Sequence, residues 1–153
     1  MIRRILAFCT LIATLSISAS AARIKNIPNP DFTKGEPIPK GATHDWTLGA
    51  TGARGWIYSH RLETRNARQI RITRVASGSP ADGVLKVGDV ILGIGDRPFA
   101  TDARVAFGKA LTAAESTEGD GQLKLLHWRG GQTQTVTLKL PVLGDYSTTT
   151  PYS

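Results

Sequence analysis

The chain has 153 residues, 41% of them hydrophobic and 20% charged, the size and balance of one compact domain with a modest core, which excludes wholesale disorder. Its one cysteine, Cys9, excludes a disulfide-stapled scaffold and a multi-cysteine zinc site. The formal charge of +7 favours an anionic partner only if the positive residues gather on one face.

Residues 1–22 read as a secretory signal peptide. Arg3 and Arg4 give a positive start, residues 5–17 an apolar stretch, and Ala19-Ser20-Ala21 a small-residue cleavage site. That stretch is shorter than the roughly 20 residues that span a bilayer. No integral membrane segment is therefore expected once it is cleaved; the competing reading is an uncleaved amphipathic anchor. Leu6-Ala7-Phe8-Cys9 has the outline of a lipidation box, but bulky Phe8 precedes the cysteine and most of the apolar stretch follows it, which rejects lipidation. Cleavage would remove Cys9 and leave an exported chain, periplasmic or secreted, with neither disulfides nor thiol chemistry.

Residues 23–43 carry Pro28, Pro30, Pro37 and Pro39, half of the 8 prolines, with little apolar periodicity. They are expected to form a Pro-rich linker or a strap lying on the domain. Residues 144–153, rich in threonine and serine, read as a flexible tail, which leaves residues 44–143 as the folded unit.

Within that unit, Trp56-Ile57-Tyr58 brings strand-forming residues after a glycine-rich turn. Residues 61–68 are polar and read as a loop. Residues 69–75 resume as a strand with Ile70 and Ile72 on one face; Val75 falls out of the alternation, which predicts a bend. Ser79 is positioned to cap a short helical turn begun by Pro80. Val90, Ile91, Leu92 and Ile94 make the apolar run of a strand buried on both faces. Thr101 or Asp102 can cap a helix reaching about Glu115, with Ala103, Ala106, Phe107, Ala110, Leu111 and Ala114 at helical spacing. Segments 122–128 and 133–140 flank Arg129-Gly130-Gly131-Gln132 as a hairpin. The expected fold class is α+β, mostly β: a partly open barrel or sandwich of five or six short strands capped by one main helix.

The run Ser79-Pro80-Ala81-Asp82-Gly83-Val84-Leu85-Lys86-Val87-Gly88-Asp89-Val90-Ile91-Leu92-Gly93-Ile94-Gly95 resembles the signature stretch of bacterial PDZ domains, which is followed, as here, by a helix and a closing hairpin. The chain looks most like the PDZ units of exported proteases of the high-temperature-requirement type and of C-terminal processing proteases. Gly52-Ala53-Arg54-Gly55-Trp56-Ile57-Tyr58 with Ala106-Phe107-Gly108-Lys109-Ala110 also resembles the PDZ-bearing front end of an uncharacterised family of large secreted bacterial proteins. The signature has a structural reading of its own. Gly83 and Gly88 relieve backbone constraint at turns, and Asp89 can accept hydrogen bonds from loop amides where the buried strand starts.

The resemblance implies a groove between an edge strand and the helix, in which an extended peptide adds as a further strand. The free carboxylate would sit on backbone N–H groups of a glycine-containing loop. The matching loop is Ala53-Arg54-Gly55-Trp56, with residues 56–59, including Ile57 and Tyr58, as the edge strand. Arg54 stands where the family usually has an apolar residue; it either adds a charge-assisted bond to the carboxylate or points to solvent. Trp56 is a pocket wall or an ordinary core aromatic. Phe107 and Leu111, four apart on the helix, either close the groove or pack in the core.

Other chemistry is thin. Ser79 lacks the nucleophile-elbow pattern, His44, His60 and His127 are scattered without metal-ligand spacing, and Asp89 and Asp96 sit in turn contexts. No catalytic residue, metal site or cofactor is expected. Arg61, Arg65, Arg68, Arg71 and Arg74 form a basic run whose readings are a solvated face, an anionic envelope surface or, last, nucleic acid; no nucleic-acid partner is expected. The leading expectation is an exported non-catalytic module that binds the C terminus or an extended segment of an envelope or secreted protein. The alternatives are a regulatory or targeting module of a larger or partner protease, and a structural module whose groove is filled by a segment such as 23–43 or the tail.

Overall fold

In the computed structural model, which describes residues 29–144, runs of β-branched and large apolar residues form antiparallel strands around one long helix. The expected signal peptide (1–22), the start of the linker (23–28) and residues 145–153 of the tail lie outside the described residues. The strands are β1 (Trp46–Thr47), β2 (Ala53–Ile57), β3 (Ile70–Val75), β4 (Val90–Ile94), β5 (Arg97–Pro98), β6 (Gln122–Arg129) and β7 (Gln132–Lys139), and the helix is α1 (Ala103–Glu115). They make one sheet in the order β1-β2-β3-β4-β6-β7, with β5 beside β4. This is the expected mostly β, α+β architecture with one main helix. Among the described residues the strands number seven rather than five or six because β1 and β5, at two residues each, are too short to announce themselves by periodicity.

Strand β2 illustrates how alternation builds two cores. Ala53 and Ile57 face the helix and join Leu48, Ile70, Ile72, Ile91, Phe107, Leu123, Leu125 and Leu138 in the main core. Trp56 faces the other way and joins Phe32 and Val90 in a smaller one. Residues 29–43 lie over that second face. Phe32, 1% exposed, meets Trp56 edge-on at 5.5 Å, and the Trp56 indole N–H donates to the Ala42 carbonyl at 3.0 Å. Gln69 on the domain accepts from the Phe32 amide and donates to Asp31, both at 2.8 Å. That bond and the Thr33 hydroxyl hold the Asp31 carboxyl well below its ordinary range.

The β2–β3 ladder skips Thr73, pairing Arg54 with Arg74 but Gly55 with Ile72, so the bend expected at Val75 falls two residues earlier. Ser79 does not cap a helical turn. Its hydroxyl is buried without a partner among the described residues, and the turn is closed instead by the Gly78 amide donating to Asp82 and by the Leu85 amide donating to the Ala81 carbonyl, both at 2.8 Å. A side chain at Gly52 would meet Ser79 Cβ at 2.2 Å, so the signature turn and the β1–β2 connection are in direct contact there. Bonds from Ala76 to the Gly52 carbonyl (2.9 Å) and from Ala81 to the Thr51 carbonyl (3.0 Å) fasten the two together. Asp102 caps α1 by accepting from the amides of Arg104 (2.9 Å) and Val105 (3.3 Å).

Candidate functional site

The β1–β2 connection and α1 are the two walls of the site. On the first wall, Asp45 fixes the entry to β1: its carboxylate accepts from Arg54 Nε at 2.8 Å and from the Thr73 hydroxyl at 2.7 Å, and its carbonyl accepts from Arg54 Nη2 at 3.0 Å. Arg54 and Asp45 hold each other charged: the guanidinium first, with the Thr73 hydroxyl, pulls the Asp45 carboxyl below its ordinary range against the opposing effect of burial, and Asp45 raises Arg54. At the tip, Gly49 and Gly52 take left-handed backbone conformations (φ of 61° and 72°), and the Thr51 hydroxyl donates to the Leu48 carbonyl at 2.8 Å.

Hydrogen-bond phase then decides which backbone groups remain open. Leu48 N–H donates to the Ala53 carbonyl at 3.0 Å, while Thr47 lies opposite Arg54. Antiparallel pairs alternate between bonded and non-bonded, so the Thr47 N–H and C=O point away from β2 and are available on the outer side of β1.

The second wall is the α1 face carrying Arg104, Gly108 and Leu111, at spacings of four and three residues. Between the walls runs a groove of about 260 Å³, bounded by Trp46, Thr47, Leu48, Gly49 and Ile57 on the sheet side and by Arg104, Val105, Phe107, Gly108 and Leu111 on the helix side. It narrows at both ends. A side chain at Gly49 would meet Leu111 Cδ2 at 2.4 Å, and the Arg104 guanidinium carbon stands 4.0 Å from the Trp46 ring centroid. His44 meets the Trp46 ring edge-on at 4.7 Å, and the Trp46 indole N–H is buried without an acceptor among the described residues. No acidic side chain pairs with Arg104 among the described residues, so its charge is available to a ligand.

Of the residues expected at the site, the groove brings together Ile57, Phe107 and Leu111. The segment expected as a carboxylate loop, Ala53 to Trp56, is instead part of β2, and the turn before it, residues 48–52, is the loop at the groove. At Trp56 and Ile57, the start of the expected edge strand, β2 pairs with β3 alone among the described residues, whereas at Arg54 and Gly55 β1 covers its other side and is the edge there. Ala53 is buried in the main core, Gly55 lies against Leu48 and Ile70, Arg54 is spent on Asp45, and Trp56 lies in the second core. Tyr58 follows the end of β2 and packs against both cores. Trp46, Arg104 and Gly108 were missed. The helix pair had a legible signal, since both share a face with Leu111; the two-residue β1 carrying Trp46 had none.

Three of the five arginines of the run already have partners. Arg65 pairs with Glu63 at 2.7 Å, Arg68 donates to the Arg65 and Ala67 carbonyls, and Arg71 stacks over Phe32 at 5.2 Å. Among the described residues there is no group of three or more His, Cys, Asp or Glu side chains that could hold a metal, and no helix is long and apolar enough to cross a membrane.

No curated protein matches the chain. The model of the PDZ domain family matches residues 47–125, running from β1 through the signature turn and α1 into β6 and covering slightly more than half of the sequence. With that match on a mostly antiparallel sheet and a single main helix, the chain belongs to the PDZ domain family, whose members are peptide-binding modules and typically non-catalytic.

Proposed function

We propose that this chain is an exported bacterial module that binds the C terminus or an extended segment of another envelope or secreted protein by strand addition along β1, beside α1. The groove between β1 and α1 carries the reading. Its walls are largely apolar, the Thr47 backbone groups are free on its strand side, and Arg104 offers an unpaired positive charge. An apolar ligand side chain would enter between Ile57, Phe107 and Leu111, and the ligand backbone would pair with Thr47. Opening the Trp46 end requires only that exposed Arg104 swing off the ring, at a cost of about 0.5–1 kcal/mol. Affinity on the order of micromolar suits so short an added strand.

Export rests on the charged start, apolar stretch and small-residue site of residues 1–22, and the type of partner on the resemblance of the signature to exported processing proteases. On that reading the module serves a partner protease or a larger secreted protein. Fluorescence anisotropy against a library of C-terminal peptides tests the binding. Micromolar affinity that is lost on amidating the peptide carboxylate is expected for C-terminal recognition; affinity retained on amidation assigns the groove to internal extended segments. Export is tested by the mature N terminus, expected within a residue or two of Arg23 in the periplasmic or secreted fraction.

A second reading, a structural module whose groove is filled from within, draws on β1 itself, because Trp46 and Thr47 already occupy the outer edge of β2. A library without a single binder at about millimolar peptide favours it.

A further inference from the structure

At the far side of the sheet from β1, strand β7 pairs with β6 alone, in an unbroken eight-residue register from Gln132 opposite Arg129 to Lys139 opposite Gln122. Its other edge has no strand partner among the described residues. Sheet edges of this length are ordinarily guarded by charge, proline, a bulge or a covering element. Gln132-Thr133-Gln134-Thr135-Val136-Thr137 has no charge, no proline and no register shift, and all but Val136 are exposed. The lysine that follows, Lys139, is turned to Asp120 at 3.0 Å. The opposite edge is far shorter: β1 is two residues long and flanked by the Asp45–Arg54 ion pair.

We infer that the β7 edge is a self-association surface through which two copies of this chain join their sheets, antiparallel about a two-fold axis. The composition fits a second copy better than an unrelated strand. Antiparallel self-pairing centred on Thr135 sets Thr133 against Thr137 of the other copy and Thr135 against itself, so that threonines meet threonines and no like charges meet. Leu138, at the inner end of the strand, is already buried in its own core, so each copy brings a finished edge rather than an open core. An interface of one strand pair falls below the area of a permanent dimer, and the association is expected to be concentration-dependent, at about 10 µM to 1 mM. It involves neither wall of the groove, and it stands or falls independently of peptide binding.

Sedimentation velocity on the purified chain across that range is expected to show a monomer–dimer equilibrium. Thr135→Lys, which sets two positive charges face to face at the axis, is expected to weaken it about tenfold or more, while Thr135→Val retains it. Unchanged circular dichroism and peptide affinity separate the effect from misfolding, and Thr137→Lys serves if Thr135→Lys does not fold. Hydrogen exchange is expected to protect β7 amides at high concentration only. A monomer throughout the range, a dimer indifferent to both lysine variants, or β7 protection equal at all concentrations would each overturn the inference.

Discussion

Arg129 grips both carboxylate oxygens of Asp89 from 40 residues away in the chain, Nε to Oδ1 at 2.7 Å and Nη2 to Oδ2 at 2.6 Å. The Lys86 amide donates to the same carboxylate at 2.7 Å, and Nε2 of the fully buried His127 lies 3.0 Å from it. Burial alone would push the Asp89 carboxyl up, but Arg129, the Lys86 amide and His127 outweigh it and hold it below its ordinary value. Asp89 thus ties the signature turn to β6 at the point where β4 begins. Asp89→Asn keeps the shape and removes the charge that Arg129 grips. Because Arg129 is 38% exposed and can rehydrate, the cost is set at about 2–3 kcal/mol rather than the full penalty of a buried pair. That corresponds to a Tm lower by roughly 10–20 °C, read by circular dichroism; a shift within a few degrees would contradict this account.

The acid limb of stability follows from the same groups. Asp31, Asp45 and Asp89 all sit below their ordinary values in the folded chain. The unfolded chain therefore takes up protons at a higher pH than the folded one. The stability they contribute is complete above about pH 4 and is lost as pH falls through the lower folded values. Glu115, pushed up by burial, acts in the opposite sense and softens the onset. A Tm nearly flat from neutral pH to about pH 5 and falling below pH 4 is expected, with a shallower acid fall in Asp45→Asn; a Tm that rises on acidification contradicts it.

The parts of the fold that could be read from sequence are those whose residues act locally. The α1 cap at Asp102, the Gly130-Gly131 turn with its two left-handed residues, and β4 buried on both faces each follow from a few neighbouring side chains. Features set by long-range approach were not legible. The Gly52–Ser79 contact leaves a signature serine unpaired where local chemistry predicts a cap. The cover that β1 lays over the first half of β2 depends on a pairing of two residues, Trp46 with Gly55 and Thr47 with Arg54, that no periodicity marks. The site shared this fate. Its helix wall could be read from spacing, whereas its strand wall depended on that pairing.

Phe32 lies outside the span matched to the family, yet it is among the most buried residues of the chain. Its loss would open a cavity over Trp56 and release the polar contacts of Asp31 and Gln69. Phe32→Ala is expected to cost about 3 kcal/mol or more and to shift Trp56 fluorescence to longer wavelength. Wild-type stability in that variant would mean that residues 29–43 rest on the domain without supporting it.

Gly93 is demanded by a close approach rather than by its backbone angles. A Cβ there would lie 1.9 Å from the Arg97 carbonyl oxygen and 2.7 Å from Pro98 Cα, both on the main chain of β5. Backbone cannot step aside as a side-chain tip can, so Gly93→Ala must part β5 from β4. A loss of about 3 kcal/mol or more is expected in urea unfolding, and a fully stable variant would show that β5 is free to move.

Gly108 lets binding be separated from folding. Gly55 would not serve, because a side chain there meets Ile70 Cγ2 at 2.5 Å inside the core, and any loss of binding would be confounded with unfolding. At Gly108 a Cβ has nothing within 4 Å, and the position is exposed on the helix wall of the groove. Leucine is favoured over glycine in a helix by roughly 0.5–1 kcal/mol, so Gly108→Leu is expected to raise Tm by several degrees. The same side chain projects into the groove opposite Thr47, where the ligand backbone would lie. Peptide affinity should fall at least about tenfold, the equivalent of 1.4 kcal/mol. Higher stability with lower affinity is a combination that damage to the fold cannot produce. Affinity unchanged in the stabilised variant would remove the ligand from between β1 and α1.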